Sequence, residues 1–84
     1  MATSSIDLVL YVRRWCHLCE DMEAALEALR PSLPFELRKI DIDEHPEFED
    51  RYGELVPVLE SEGRVICHYH LDELRLRACA QALG

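Results

Sequence analysis

Two of the chain's four cysteines, Cys16 and Cys19, stand three positions apart in the segment Trp15–Cys19. If this segment opens a helix, the two residues lie on the same side of its first turn, so their sulfur atoms can close a disulfide. Such a small ring opens and closes without refolding of the surrounding domain. Zinc sites use the same cysteine spacing, so the pair alone leaves both redox chemistry and metal binding open.

The surroundings of Cys16 favour its thiolate form. The first turn of a helix carries unpaired backbone N–H groups and a partial positive charge. Arg13 and Arg14 directly precede the segment, and His17 adds positive charge when it is protonated. A low pKa brings only a small gain in attack rate, because intrinsic nucleophilicity falls with it. The larger benefit is that Cys16 becomes a better leaving group, which sets the redox poise.

The hydrophobic pattern changes from strand-like to helical at this segment. Ile6–Val12 is an aliphatic run typical of a buried strand, and Cys16–Leu29 has apolar residues at helical spacing. The later pattern predicts strands at Phe35–Ile42, Val56–Leu59 and Val65–Tyr69, a short helix at His45–Tyr52 and a closing helix at Leu71–Leu83. The order βαβαββα predicts an α/β fold with a four-stranded mixed sheet and helices on both faces.

Length and composition predict a single domain over residues 1–84, because 84 residues are too few for a second core. The net charge of −8 argues against nucleic acid as a partner. The longest apolar run, Leu8–Val12, is too short to span a bilayer and has no basic region before it, so we expect no membrane segment and no signal peptide. The expected location is the cytoplasm, where cysteines indicate catalysis, metal binding or burial.

A cysteine pair that opens a helix directly after a buried strand indicates a redox site more strongly than the spacing alone. From Asp7 onward the chain also resembles a glutaredoxin-like protein of the thioredoxin superfamily. Five segments carry the resemblance: Leu8–Tyr11, Trp15–Glu20, Asp41–Asp43, Val56–Leu59 and Leu71–Glu73. It implies a thioredoxin-like fold and thiol–disulfide oxidoreductase activity.

The resemblance also implies roles for individual residues. Cys16 corresponds to the nucleophile, and Cys19 to the cysteine that resolves the mixed disulfide. Pro57 corresponds to a cis-proline that faces the disulfide. The backbone of Val56 corresponds to the segment that pairs with the substrate as a short added strand.

Two segments depart from the family pattern. The dipeptide between the cysteines is His17-Leu18, without proline. The segment His68–Asp72 stands where many glutaredoxins carry Gly-Gly, whose N–H groups hold a glutathione carboxylate. Asp72 at the helix start, and Arg13 or Arg14 as carboxylate partners, keep glutathione open as a co-substrate.

The residues around the cysteine pair and the two other cysteines complete the candidates. Trp15 is predicted to shield the site and to contact a partner, with simple packing in the loop as the alternative. His17 either tunes the neighbouring thiolate or is merely exposed. Cys67 and Cys79 are predicted to be small buried hydrophobic residues. The run Cys67–His70 is a weak metal-site candidate, since alternate residues of a strand point to opposite faces.

Together these patterns predict a monomeric thiol–disulfide oxidoreductase without bound cofactor or metal. Its expected substrates are protein or low-molecular-weight disulfides, and its expected reductant is another thiol. Two alternatives stay open. One is a thioredoxin-fold binding module without catalysis, and the other is a metal or iron–sulfur carrier that uses Cys16 and Cys19.

Overall fold

The computed structural model describes residues 5–81. Its strands are β1 (Ile6–Val12), β2 (Phe35–Asp41), β3 (Val58–Ser61) and β4 (Arg64–His68). Its α-helices are α1 (His17–Leu29), α2 (Glu49–Tyr52) and α3 (Glu73–Gln81), and a 3₁₀ turn, Pro46–Phe48, leads into α2. Among these residues no helix has the length and apolar character needed to cross a bilayer.

The four strands form one mixed sheet in the order β2-β1-β3-β4. Strand β1 is parallel to β2, with Ile6 opposite Phe35 and Val12 opposite Asp41. It is antiparallel to β3, which is antiparallel to β4. Strand β1 is therefore central, and its carboxyl end, which leads into the cysteine segment, lies beside the carboxyl end of β2.

Helices cover both faces of the sheet because the side chains of β1 alternate between two cores. On one face, Leu8 and Leu10 pack with Met22 and Leu26 of α1 and Leu76 of α3. This larger core fixes α1 against the sheet and thereby places the start of α1 at the end of β1. The predicted four-stranded mixed sheet with helices on both faces is confirmed.

The second core contains a buried carboxylate. On the opposite face, Tyr11 packs with Ile42, Tyr52 and Val58. The hydroxyl groups of Tyr11 and Tyr52 donate hydrogen bonds of 3.2 and 2.7 Å to the Glu60 carboxylate, which is 9% exposed. Burial, followed by the hydrogen bond to Glu60 and its negative charge, raises the pKa of Tyr52 to about 12.

Strands β3 and β4 differ from the sequence-based prediction at both ends. Strand β3 occupies Val58–Ser61 rather than Val56–Leu59. Pro57 has no backbone N–H to donate to a neighbouring strand, so it stays in the loop before β3, and its peptide bond with Val56 is cis. Strand β4 occupies Arg64–His68 rather than Val65–Tyr69. It ends before Tyr69, because Tyr69 has a φ of 63°, in the left-handed region.

The other shifted boundaries differ by one or two residues from the prediction. Helix α1 begins one residue later than predicted, with Cys16 as its N-cap, and β2 ends one residue earlier, at Asp41. The predicted helix at His45–Tyr52 is divided into the 3₁₀ turn and α2. Helix α3 begins at Glu73 rather than Leu71, and its predicted end at Leu83 lies outside the described residues.

Candidate redox site at the start of helix α1

Cys16 and Cys19 are joined by a disulfide at the start of α1, with their Cα atoms 5.2 Å apart. The two residues differ in accessibility: Cys16 is half-buried, whereas Cys19 is only 4% exposed. The larger core encloses α1 from the Cys19 side, since Met22, one turn further along, is fully buried. An incoming thiol therefore reaches the sulfur of Cys16 more readily than that of Cys19.

The N-cap position gives the sulfur of Cys16 a specific hydrogen bond. Cys16 has extended backbone angles, φ −114° and ψ 102°, and its Sγ accepts a hydrogen bond of 3.1 Å from the backbone N–H of Cys19. This hydrogen bond stabilises a negatively charged sulfur more than a neutral sulfur, and the partial positive charge of the helix end adds to that stabilisation. The local geometry thus favours a thiolate on Cys16 once the disulfide is reduced.

Arg13 fastens the loop before Cys16 to two other segments. Its Nε and Nη2 atoms donate hydrogen bonds of 3.4 and 3.3 Å to Oδ1 of Asp43, and Nη1 donates one of 2.9 Å to the backbone oxygen of Gly53. The same guanidinium group also forms an ion pair with Glu49. We call these four residues, Arg13, Asp43, Glu49 and Gly53, the loop clamp. It connects the end of β1 with the turn after β2 and with α2.

Arg14 contacts the same turn after β2. Its backbone N–H donates a hydrogen bond of 3.3 Å to Oδ2 of Asp43. Its side chain lies 3.8 Å from a carboxylate oxygen of Asp41 and 3.9 Å from one of Glu44. The two arginines that precede the cysteines are thus paired with carboxylates of the chain itself. The parallel alignment of β1 and β2 brings these groups to one edge of the sheet.

Trp15 and His17 flank Cys16 and point into solvent. Trp15 has a φ of 58°, and its side chain is 98% exposed. The His17 imidazole lies 3.6 Å from the Glu20 carboxylate, and its side chain is 96% exposed. Simple packing of Trp15 in the loop is therefore wrong, and both side chains are available for contact with another molecule.

A surface pocket of about 570 Å³ lies beside the disulfide. It is lined by both cysteines and by Val12, Arg13, Trp15, His17, Glu20, Glu23 and Lys39. Five of the site residues predicted from the sequence thus lie around one pocket: Arg13, Trp15, Cys16, His17 and Cys19. The structure adds Glu20, Glu23 and Lys39, which the sequence analysis did not single out. Glu20 and Glu23 lie one turn apart on α1, and a Lys39–Glu23 ion pair of 2.8 Å links β2 to that helix.

The remaining predicted site residues do not line this pocket. Val56 and Pro57 precede β3, and the pairing of Val58 with Tyr11 places them beside the end of β1. The backbone oxygen of Pro57 accepts a hydrogen bond of 3.0 Å from the N–H of Tyr69.

Asp72 lies directly before α3 and caps this helix. Its Oδ1 atom accepts a hydrogen bond of 3.0 Å from the backbone N–H of Arg75. The Asp72 carboxylate therefore satisfies one of the unpaired N–H groups of this helix end.

The two other cysteines are free thiols. Cys67 is buried in β4 opposite Leu59, as predicted, and burial raises the pKa of its thiol. Cys79 was predicted to be buried as well, but it is only half-buried, at the margin of the larger core against which it packs. Among residues 5–81 no group of three or more His, Cys, Asp or Glu side chains is placed to hold a metal ion.

Comparison with known families identifies the family to which the chain belongs. The model of the Glutaredoxin-like domain (DUF836) matches residues 7–80. The chain belongs to this family. An uncharacterized protein of Mycobacterium tuberculosis is 31% identical to it over 74 residues, which cover 82% of this chain and 76% of the relative.

This glutaredoxin-like chain is also similar to proteins of known structure. The solution structure of a Nitrosomonas europaea protein has a TM-score of 0.85 and 38% identity, with 94% of this chain and 95% of that chain covered. The thioredoxin of Fasciola hepatica has a TM-score of 0.61 and 23% identity, with 95% and 82% covered. The latter establishes the fold alone, which is the thioredoxin-like fold predicted from the sequence.

Proposed function

We propose that this glutaredoxin-like protein is a thiol–disulfide oxidoreductase in which Cys16 is the nucleophile and Cys19 the resolving cysteine. The observation that carries the proposal is the disulfide itself. The more accessible sulfur, that of Cys16, caps α1 and accepts a hydrogen bond from a backbone N–H, whereas Cys19 is buried. This asymmetry supports the two proposed roles, because the first attack needs an accessible thiolate and the second needs only proximity.

The reaction is an exchange of two electrons. The Cys16 thiolate attacks one sulfur of a substrate disulfide, forms a mixed disulfide and expels the other half of the substrate as a thiolate. The Cys19 thiol then loses its proton and attacks the Cys16 sulfur. This step expels the second half as a thiolate and closes the Cys16–Cys19 bond. The substrate gains two electrons and the protein loses them. The two released thiolates take up two protons from the solvent, which replaces the one that Cys19 loses and the one that Cys16 lost when its thiolate formed.

Two external thiols reverse this reaction and return the protein to its dithiol form. We propose a small thiol such as glutathione as this reductant and the cytoplasm as the place of action, since a reducing compartment maintains such thiols. The chain acts as a monomer without a bound cofactor, on protein or low-molecular-weight disulfides. Arg13 and Arg14, which the sequence offered as partners of a substrate carboxylate, are already paired with carboxylates of the chain, so we assign them no such contact.

We propose substrate contacts on both sides of Cys16. Trp15 and His17 stand exposed next to it and offer an aromatic and a polar contact. The backbone of Val56, before the cis bond to Pro57, pairs with an extended substrate segment as an added strand.

Single-turnover reaction with a small disulfide tests the assignment of the two cysteines. The reduced protein is mixed with bis(2-hydroxyethyl) disulfide and quenched with acid, and the products are weighed by mass spectrometry. Cys16→Ser is expected to abolish the fast reaction. Cys19→Ser is expected to stop at a mixed disulfide that adds the mass of one substrate half.

Cys79→Ser is the matched control, because it removes a thiol outside the pocket, and it is expected to react like the unchanged protein. Fast reaction of Cys16→Ser would refute the nucleophile. An unchanged protein that reacts no faster than a free thiol would refute catalysis and favour a binding module of the same fold.

A further inference from the structure

The positive charges next to the disulfide are compensated by carboxylates of the chain. Arg13 is paired with Asp43 and Glu49 in the loop clamp. The ammonium group of Lys39 lies 2.8 Å from the Glu23 carboxylate. Both cations line the pocket that contains the two sulfurs, yet each already has an anionic partner. The pocket therefore presents little positive charge to a ligand.

Glu20 is the negative charge of this pocket that lacks a permanently cationic partner within residues 5–81. Its side chain is 77% exposed, and its contact is the His17 imidazole at 3.6 Å, a ring that carries charge only when protonated. Its backbone N–H donates to the oxygen of Cys16, so Glu20 lies one helical turn beyond the proposed nucleophile. The chain as a whole carries a net charge of −8. The Glu20 carboxylate and the overall charge both add negative potential to the pocket beside the disulfide.

We propose that Glu20 is a specificity-determining residue, which makes the site select disulfides with a cationic group beside the sulfurs over anionic ones. The inference rests on the proposed oxidoreductase function and names its substrate class. An ammonium or guanidinium group of the substrate occupies the pocket near Glu20 while Cys16 attacks the adjacent sulfur. A carboxylate in the same place is repelled by Glu20. The guanidinium and ammonium groups around it do not offset this repulsion, because they are already paired.

The size of the effect follows from the exposure of Glu20. Exposed ion pairs change an equilibrium or rate by about 1.5- to 5-fold for each unit charge. A change from a cationic to an anionic substrate therefore alters the rate by about 3- to 20-fold at low salt. The Debye length shortens from roughly 30 Å at 0.01 M salt to about 3 Å at 1 M, so high salt removes most of this preference.

Three small disulfides of similar size test the preference: cystamine as the dication, bis(2-hydroxyethyl) disulfide as the neutral compound and 3,3′-dithiodipropionate as the dianion. The reduced protein reacts with each in single turnover at neutral pH, and acid-quenched samples are separated into dithiol and disulfide forms. Each rate is divided by the rate of dithiothreitol with the same compound, because the leaving thiols differ in reactivity. The normalised rates are expected in the order cationic, neutral, anionic, with the order compressed at high salt.

Variants assign the preference to Glu20. Glu20→Gln removes a charge that acts on both compounds, so it is expected to lower the cationic-to-anionic ratio by about 3- to 20-fold, and Glu20→Lys to lower it further. Glu27→Gln is the matched control, since Glu27 lies on the same helix about 10 Å further along and pairs with Arg30. This control is expected to leave the ratio unchanged.

Equal normalised rates for the three compounds, or a faster anionic compound, would overturn the inference while leaving the proposed function intact. Equal effects of Glu20→Gln and Glu27→Gln would likewise overturn the role of Glu20. An unchanged protein that reacts with the neutral disulfide no faster than dithiothreitol would overturn the proposed function, and this inference with it.

Discussion

The loop clamp makes a quantitative prediction about stability. Asp43 accepts three N–H groups through its two oxygens, two from the Arg13 side chain and one from the backbone of Arg14. The side chains of Arg13 and Asp43 are 30% and 39% exposed. Partly exposed ion pairs contribute about 0.2–1 kcal/mol, and a backbone hydrogen bond to a charged group adds about 1 kcal/mol. Asp43→Ala should therefore lower the free energy of unfolding by about 1–2 kcal/mol.

A double-mutant cycle separates the ion pair from the rest of this effect. Urea unfolding of the oxidised protein, followed by circular dichroism, is measured for Asp43→Ala, Arg13→Ala and the double variant. The expected coupling between the two residues is about 0.5–1 kcal/mol, because they share bonds that neither single variant retains. Glu44→Ala is the control from the same turn, since its carboxylate lies 3.9 Å from Arg14, and its expected cost is below about 0.5 kcal/mol. A coupling below about 0.3 kcal/mol, or an equal cost for Glu44→Ala, would refute the clamp.

Three further predictions concern the cores. Because the pKa of Tyr52 is raised from 10.0 to about 12 in the folded protein, stability present below pH 10 should be lost as pH rises toward 12. Urea titrations across that range should show a fall of order 2–3 kcal/mol for the unchanged protein and a smaller one for Tyr52→Phe. Leu76→Ala should cost about 2–5 kcal/mol in urea unfolding, and Leu74→Ala, at an 82% exposed position, less than about 0.5 kcal/mol. Since burial raises the pKa of Cys67, its alkylation, measured by mass spectrometry, should be slower than that of the nucleophilic thiol at neutral pH.

Local patterns allowed the sequence to predict the elements that position the cysteines. The apolar run of β1 and the helical spacing of Met22 and Leu26 are short-range signals, and both sets of residues lie in the larger core. The change of period at Cys16 marks the junction of strand and helix to within one residue. Short-range patterns were therefore enough to predict that the cysteines lie between β1 and α1.

Contacts between distant segments were beyond the reach of these patterns. The sequence places Arg13 next to the site, but its partners Asp43, Glu49 and Gly53 lie 30 to 40 positions away and meet it only through the sheet order. Glu60 is a similar case, because a charged residue in a strand predicts exposure unless two tyrosines from other elements enclose it. What the sequence patterns could not predict was which charged side chains pair across distant segments of the chain.

The exposed position of Trp15 has an optical consequence. The chain contains one tryptophan, and it directly precedes the half-buried cysteine of the disulfide. A disulfide quenches indole fluorescence at short range, whereas a pair of thiols does so more weakly. All the tryptophan emission of this protein therefore originates next to the two cysteines, so a change of emission on reduction is the expected optical sign of the oxidation state of the unlabelled chain.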